Sequence, residues 1–276
     1  MEILKQKKEG ILCFILAIST VFICADIYSQ DSKSDVWNNK KCAVVLTYDD
    51  ALGVHLDNVL PLLDSLGLKA TFYIPGKSET LNSRLTEWRV AANNGHELGN
   101  HTLFHPCAGL SKGREWVSSE YDLDNYTYKR LVDELRLNNT LLKAIDGRND
   151  RTFAYPCGDK TIESINYMDS LKNEFIGARG VEKAEVLLNN IDLYNIPAYG
   201  VRNNTGDDLI ELVDEALNSG YLRVFLFHGI GGGHNINVSS EEHKKLLVYL
   251  KDNEKNIWIA PLIDVVRYVR EIREHE

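Results

Sequence analysis

The sequence predicts a single α/β domain built on a mainly parallel β-sheet. Short runs of β-branched and aromatic residues alternate with longer amphipathic stretches, which is the pattern of consecutive βα units. The number of these runs is about the eight that a barrel needs. Removing a leader of about 30 residues from the 276 leaves about 246, a length that suits one barrel. Because no linker, low-complexity run or fixed-period repeat interrupts the chain, we predict one domain rather than two.

The first 30 residues are predicted to be a secretory signal peptide that is not part of the fold. Three early lysines precede an almost continuously apolar run over 11–23, and small or polar residues follow it. An uncleaved membrane anchor is the alternative, although the run is shorter than the roughly 20 residues of a spanning helix. Lipidation of Cys24 is a further alternative that the bulky Ile23 disfavours. We therefore expect export to the periplasm, the cell surface or the medium, with cleavage near residue 30.

The composition excludes some classes of partner. A formal net charge of −9 makes nucleic acid and anionic membrane surfaces poor partners and favours a neutral or cationic ligand. We expect a monomer with no nucleic-acid partner and no stable membrane insertion after the leader is removed. The cysteines beyond the leader are Cys42, Cys107 and Cys157, and this odd number predicts no disulfide framework. At most one bridge can form, and we interpret the remaining thiol as packed or pocket-lining.

The predicted strands occupy the short apolar runs, and the predicted helices occupy the amphipathic stretches between them. The strands cover 42–48, 70–74, 97–100, 152–155, 175–178, 194–198, 222–227 and 257–260. The helices cover 56–66, 84–94, 128–145, 161–172, 207–219, 240–253 and 262–273. Gly67 and Gly147 are typical of helix C-termini, and Ser239 with the glutamates after it is typical of an N-terminal cap.

Two histidines four residues apart lie in residues 96–106, which read HELGNHTLFHP. On a helix His101 and His105 would share one face, but the glycines of this stretch and Pro106 favour a short strand that runs into a loop. Taken alone, such a pair is most often an accident of surface composition. Its position at the end of a predicted strand makes it a candidate metal site.

Two other predicted strands also end in residues that can bind a metal or transfer a proton. One runs into Asp49 and Asp50, and the other runs into His228. Chemistry gathers where parallel strands end, so we expect these side chains to meet the histidine pair at one rim. Each has a structural alternative: the aspartates could cap a helix that starts near His55, and His228 could be a buried histidine satisfied by the backbone.

These side chains fit hydrolytic metal chemistry. Two neutral imidazoles and one carboxylate can hold a divalent metal such as zinc, which acidifies water and polarises a carbonyl. Successive side chains at a strand end point to different sides, so one aspartate can bind the metal while its neighbour accepts a proton. His228 could then donate a proton to the leaving amine or alcohol.

The same motifs resemble those of the polysaccharide deacetylases with a NodB homology domain, carbohydrate esterase family 4. The resemblance covers about residues 41–276. Residues 47–50 (TYDD) are similar to the first motif of the family, 100–106 (NHTLFHP) matches the second without departure, and 153–158 (FAYPCG) and 226–229 (LFHG) are similar to the third and the last. The resemblance implies a distorted (β/α) barrel of about seven or eight parallel strands.

The resemblance also implies a role for each motif residue. Asp50, His101 and His105 would hold a divalent metal, for which zinc is the expected ion. Asp49 would be the catalytic base and His228 the catalytic acid. The third motif would contribute to the substrate site or its support through Tyr155, Pro156, Cys157 and Gly158, with the backbone N–H of Cys157 as the oxyanion donor.

The chain departs from the family pattern at several positions. Tyr48 and Ala51 replace the usual phenylalanine and glycine of the first motif. Ala154 stands where the third motif usually carries an arginine that fixes the base carboxylate. Arg179 lies just past a predicted strand and could supply that guanidinium at the same rim, unless it is an exposed loop residue. The aspartate and tryptophan of the fourth motif have no clear counterpart in 194–202.

Other histidines and one loop are less informative. We interpret His55, His96, His234 and His243 as surface or supporting groups, although His234 lies in a glycine-rich loop and could line the pocket. An insertion-like loop over 107–125 contains Trp116 and Tyr121, and it could wall the substrate cleft on one side.

We therefore expect an exported, metal-dependent hydrolase that removes N- or O-linked acetyl groups from a carbohydrate, with an N-acetylhexosamine glycan as the specific prediction. One alternative is an acetyl xylan-type esterase or a small-molecule amidase on the same scaffold. The other is a carbohydrate-binding protein with weak turnover, because the motif arginine is missing at Ala154.

Overall fold

The computed structural model of the protein describes residues 36–275, so the predicted signal peptide at 1–30 lies outside the described residues. The strands are β1 (Cys42–Asp49), β2 (Thr71–Ile74), β3 (Glu97–Asn100), β4 (Thr152–Ala154), β5 (Thr161–Ile162), β6 (Ile165–Asn166), β7 (Gly177–Arg179), β8 (Tyr199–Gly200), β9 (Leu222–Phe227), β10 (Gly229–Ile230), β11 (Asn237–Val238) and β12 (Ile257–Ile259). The α-helices are α1 (Leu60–Leu66), α2 (Glu79–Ser83), α3 (Leu85–Asn93), α4 (Tyr128–Asp146), α5 (Gly206–Ser219), α6 (Ser240–Asp252) and α7 (Leu262–His275). Within 36–275, no helix has the length and apolar character needed to cross a bilayer.

Eight strands form one parallel sheet in the order β7-β4-β3-β2-β1-β9-β8, with β12 also paired to β1. The segment before β8 connects the two ends of this order. Ile196 forms a parallel bridge with Arg179 of β7, and Gly200 pairs with Leu226 of β9. The predicted α/β domain with a distorted barrel of about seven or eight parallel strands is therefore confirmed.

The central strand is β1, and all 8 of its residues are buried. Successive side chains of a strand point to opposite faces. Accordingly, Val44 and Leu46 pack in a cluster with residues of α1, α5 and α6, whereas Ala43 and Val45 pack in another cluster with residues of β9 and α7. A strand that is covered on both faces needs no polar face, which explains its continuous apolar run.

The helix predicted over 161–172 is wrong, because this stretch is the antiparallel β5-β6 hairpin followed by a short 3₁₀ turn over Tyr167–Ser170. Glu163 and Ser164, at the tip of the hairpin, have φ values of 51° and 66°, which an α-helix does not use. The buried side chains of this stretch are Ile162, Tyr167, Met168 and Leu171, and they pack into one cluster. In this stretch, apolar residues with the spacing of a helix therefore pack into the core from a hairpin and a 3₁₀ turn.

The strand predicted over 194–198 is displaced to β8, and Ile196 alone of those residues forms a bridge. Pro197 has no backbone N–H to donate, so a regular ladder cannot continue through it. The other predicted strands are confirmed with ends that differ by up to two residues. The short helix α2 and the β10-β11 pair were not predicted.

The helix-end signals are confirmed. Gly67 and Gly147 have φ values of 68° and 72° at the C-termini of α1 and α4, where a left-handed residue closes the helix. Ser239 accepts a hydrogen bond from the backbone N–H of Glu242 and caps α6.

Three of the remaining histidines, His55, His96 and His243, are buried rather than on the surface. His96 and His243 have no exposed area, and Nε2 of His243 lies 2.7 Å from the hydroxyl oxygen of Tyr48. The hydroxyl that Tyr48 adds to the first motif therefore has a partner inside the core. Such a pair satisfies a polar group that would otherwise be costly to bury.

His243 makes the stability of the fold depend on pH. Burial lowers the pKa of His243 from 6.5 to about 3, so the unfolded chain binds its proton at a higher pH than the folded chain does. We expect the free energy of unfolding to fall as the pH drops from 6.5 towards 3, by up to about 1.4 kcal/mol per pH unit from this residue. In His243→Gln, urea titrations should show a shallower acid slope. A slope equal to that of the wild type would contradict this assignment.

Candidate active site

Three parallel strands deliver polar side chains to one rim of the sheet. Asp49 is the last residue of β1, and Asp50 follows it. His101 follows β3 directly, and His228 follows β9. The four side chains therefore lie together at the rim where the parallel strands end, as predicted.

Asp50, His101 and His105 form a compact group that fits a divalent metal. Oδ1 of Asp50 lies 3.4 Å from Nε2 of His105 and 3.6 Å from Nε2 of His101, and the three ligand atoms lie within 4.8 Å of one another. Nδ1 of His101 lies 2.8 Å from the carbonyl oxygen of Ala154, to which it donates, so the lone pair is on Nε2. Burial lowers the pKa of His101 to about 4, which keeps the imidazole neutral and able to bind metal.

The loop that carries the two histidines is fixed by hydrogen bonds from its own motif. Thr102 and His105 have φ values of 63° and 53°, in the left-handed region that is unfavourable for residues with a side chain. Oδ1 of Asn100 accepts from the N–H of Thr102 at 2.8 Å, and Oγ1 of Thr102 accepts from the N–H of His105 at 2.7 Å. Asn100 itself is buried and donates to the carbonyl of Leu135 on α4. Asn100 and Thr102 therefore position the loop that carries His101 and His105.

Asp49 is buried beside a guanidinium. Nη2 of Arg179 lies 2.6 Å from Oδ1 and 2.5 Å from Oδ2 of Asp49, and Arg179 also donates to the carbonyl of Gly180. Burial alone would raise the pKa of Asp49, but the charge and hydrogen bond of Arg179, together with the nearby His101 and His228, lower the pKa below its ordinary value. The structure thus places Arg179 in the buried interior rather than in an exposed loop, and Asp49 is held as a carboxylate.

His228 reaches the same rim from the opposite side. Its Nε2 lies 3.9 Å from Oδ2 of Asp50. Burial lowers its pKa, and the nearby carboxylates of Asp49 and Asp50 oppose that effect. Its carbonyl oxygen accepts from Nε2 of His55 at 2.7 Å, and Nδ1 of His55 accepts from the N–H of Leu52. His55 is therefore a buried supporting group that holds the backbone at His228.

Residues 37–176 match the family model for polysaccharide deacetylase, which is half of the chain. This chain belongs to the polysaccharide deacetylase family. The structures similar to it include a polysaccharide deacetylase from Mycobacterium smegmatis, with a TM-score of 0.56 and 15% identity over 85% of this chain and 92% of that one. Puue allantoinase has a TM-score of 0.61 and 12% identity over 84% of this chain and 91% of that one. At such identities the likeness concerns the fold alone.

One curated relative is a gellan lyase from a Bacillus species, which is 23% identical over 268 residues. The match covers 86% of this chain, which spans only 10% of the lyase. The shared part is therefore a module within a much longer protein.

As a member of the polysaccharide deacetylase family, this chain has an altered third motif. Ala154 on β4 is the direct neighbour of Arg179 on β7 in the sheet register. The guanidinium that the motif lacks is thus supplied from the adjacent strand. No sequence motif signals this pairing, because it depends on which strands are neighbours.

The rest of the third motif is tied to the loop after the histidine pair. Cys157 has a φ of 55° and forms a disulfide with Cys107, while Cys42 is a buried free thiol. The sulfurs of Cys107 and Cys157 also lie close enough to His105 to suggest a second metal group, but they are bonded to each other and are not free to bind one.

The hydroxyl of Tyr155 donates to the carbonyl of Tyr194 at 2.8 Å, behind the cleft wall. Pro156 is buried and begins the short 3₁₀ turn of this motif, and a side chain on Gly158 would collide with Val181.

A cleft of about 1130 Å³ opens above the rim. It is lined by the predicted catalytic and ligand residues, by Tyr155 and Cys157, and by His234, Trp116 and Lys77. Arg179, Pro156 and Gly158 are not among its lining residues. Lys77 was missed from the sequence, although it lies just beyond the end of β2, where the strand-end rule applies.

Proposed function

We propose that the protein is an exported, metal-dependent carbohydrate deacetylase. The observation that carries this proposal is the convergence of a charged base, three ligand side chains and an acid on one cleft of a polysaccharide deacetylase fold. Imidazole and carboxylate ligands with open positions suit zinc best, so we propose zinc as the ion. When bound, it would supply Lewis-acid chemistry at the acetyl carbonyl.

The protein residues divide the proton transfers between them. Asp49, ionised and fixed by Arg179, takes a proton from the attacking water. The C–O or C–N bond then breaks as His228 gives a proton to the leaving oxygen or nitrogen. Cys157 lines the cleft, and its backbone N–H would donate to the developing oxyanion.

An exposed aromatic side chain in the cleft suits a sugar ring. Trp116 is 70% exposed and lines the cleft, so its ring is available to stack on a ligand. Its loop is anchored by the disulfide at Cys107 and by Arg114, whose Nη1 lies 2.5 Å from Asp159. We therefore propose an N-acetylhexosamine oligosaccharide or polymer as the substrate. Acetyl esters of xylan remain the second candidate, because the same residues serve both leaving groups.

Acetate release tests this function. Purified mature protein would be incubated with N-acetylated glycans and acetylated xylan, from which released acetate is measured, and with the small amide allantoin, whose ring opening is measured because it carries no acetyl group. Each reaction would be run with and without chelator and with zinc added back. We expect chelator-sensitive release from an N-acetylated glycan. Robust release from xylan alone would move the substrate to an ester, turnover of the small amide alone would favour an amidase, and no release from any of them would favour a binding protein.

Trp116→Ala is expected to weaken substrate binding without affecting the metal. Loss of a stacking ring costs about 1 to 3 kcal/mol, so KM for a glycan should rise about fivefold to a hundredfold while kcat changes little. Trp116→Phe should restore much of the affinity. An unchanged KM in Trp116→Ala would show that this ring does not touch the substrate.

The proposed export is supported by the Cys107–Cys157 disulfide, since such bonds persist in oxidising compartments. N-terminal sequencing of the mature protein would test it. A start near residue 30 is expected, and an intact leader would favour a membrane anchor instead. Sedimentation of the mature chain would test the proposed monomer.

A further inference from the structure

We propose that His234 is a positioning residue that holds the imidazole of His228 in the orientation needed for proton donation. This inference rests on the proposed function, in which His228 is the acid. It assigns a part to a residue outside the family motifs.

Among the described residues, the ring of His228 has no hydrogen-bonding partner at Nδ1, the nitrogen that does not lie beside Asp50. Nδ1 of His228 is buried, and none of the residues in 36–275 hydrogen bonds to it. A catalytic histidine is commonly oriented by a hydrogen bond that the N–H of its second nitrogen donates to a carboxylate or a carbonyl oxygen. His55 fixes the backbone of His228 but does not contact its ring nitrogens. Rotation of this ring must therefore be limited by packing.

The packing partner is His234. The two ring centroids are 4.9 Å apart and the planes differ by 19°, which is stacked geometry. Nδ1 of His234 accepts from the N–H of Ile236 at 3.0 Å, so the ring of His234 is itself fixed to the backbone. One face of the His228 ring is thus covered by a ring that cannot turn freely.

The partly exposed loop that presents His234 is closed by hydrogen bonds. The N–H of Gly229 donates to the carbonyl of Ile236, and the N–H of Gly231 donates to the carbonyl of Val238. Gly231 has a φ of 70°, and a side chain there would lie 2.1 Å from Oγ of Ser240. Asn58 donates to the carbonyl of Ile230 at 2.8 Å and ties the loop to the helical segment before α1. The loop is therefore closed on itself with the His234 ring over His228.

Two substitutions of His234 distinguish the effect of its stacking on His228 from the effect of its hydrogen bond with Ile236. His234→Phe keeps a flat ring over His228 but cannot accept from Ile236, whereas His234→Asn keeps an acceptor and removes the ring. Each variant would be assayed on an N-acetylated oligosaccharide, whose amine leaves only when protonated, and on p-nitrophenyl acetate, whose leaving group needs no acid. Bound metal would be measured in every sample.

We expect His234→Asn to lower kcat on the amide by about 10- to 100-fold and to leave the activated ester within about threefold, because only the first needs an aligned acid. His234→Phe should recover most of the amide activity. Equal losses on both substrates, or a His234→Asn variant as active on the amide as the wild type, would overturn the inference.

A readout independent of turnover distinguishes this inference from the proposed function. In protein labelled with ¹³C-histidine, the ring proton of His228 should shift in His234→Asn and stay close to its wild-type position in His234→Phe. A resonance that does not respond to His234→Asn would also overturn the inference. If the wild type releases no acetate, the proposed function fails, and the position of the ring is still read from this resonance.

Discussion

Replacing His101 or His105 by alanine is expected to remove bound metal and turnover together. The candidate site has three protein ligands, so either change leaves two, and His101 also loses its anchoring hydrogen bond to Ala154. Metal content should fall from about one ion per chain to near zero, and acetate release should fall to the background of the assay. Elemental analysis after dialysis and an acetate assay measure both quantities on the same sample.

Asp49→Asn is the matched variant for the ligand substitutions. It removes a proton acceptor but none of the three ligands, so it should keep the metal and lower kcat by about 10²- to 10⁴-fold. His275→Ala, on the exposed end of α7, should bind metal as the wild type does. Wild-type protein that binds no divalent ion at micromolar concentration would refute the site, and metal-free but active His101→Ala would refute its role.

Arg179→Ala is expected to cut turnover by about tenfold or more without releasing metal. The guanidinium contacts both oxygens of Asp49 in the buried interior, so its loss would leave a buried carboxylate without its charge partner. Without Arg179, burial would raise the pKa of Asp49. The carboxylate would also lose the contact that fixes its orientation. Steady-state kinetics and metal content would be compared with those of the wild type.

Arg179→Lys and a double variant distinguish loss of the contact with Asp49 from unfolding of the protein. Lysine keeps the charge but not the planar fork, so an intermediate rate is expected from Arg179→Lys. Ala154 and Arg179 are neighbours in the register, and therefore Ala154→Arg in the Arg179→Ala background should restore part of the rate. Wild-type rates in Arg179→Ala would refute the pairing, and so would a folded double variant no faster than Arg179→Ala.

Much of the fold could be predicted because its strands are buried on both faces and therefore read as continuous apolar runs. The strand β9, which is apolar except for Arg223, has the predicted bounds for this reason. The error at 161–172 arose because apolar spacing does not record backbone φ, and the turn at Glu163 and Ser164 needs positive values. Such local conformations depend on what the segment packs against.

The candidate site could be predicted where a residue follows a strand, and less well where its partner comes from another part of the chain. His101 and Asp50 were found by that rule. The disulfide between Cys107 and Cys157 joins residues 50 positions apart, and spacing alone did not indicate it. The burial of His243 beside Tyr48 is also a long-range packing effect, since nothing near His243 in the sequence marks it as a core residue.

The neighbouring positions of Ala154 and Arg179 bear on how inactive relatives are recognised. A search that decides catalytic competence from the residue type at each motif position would reject this chain at Ala154. The charge that such a search requires stands one strand away, aimed at the same carboxylate. Chains rejected for a missing motif arginine should therefore be inspected in three dimensions, strand by strand, before they are set aside as degenerate copies.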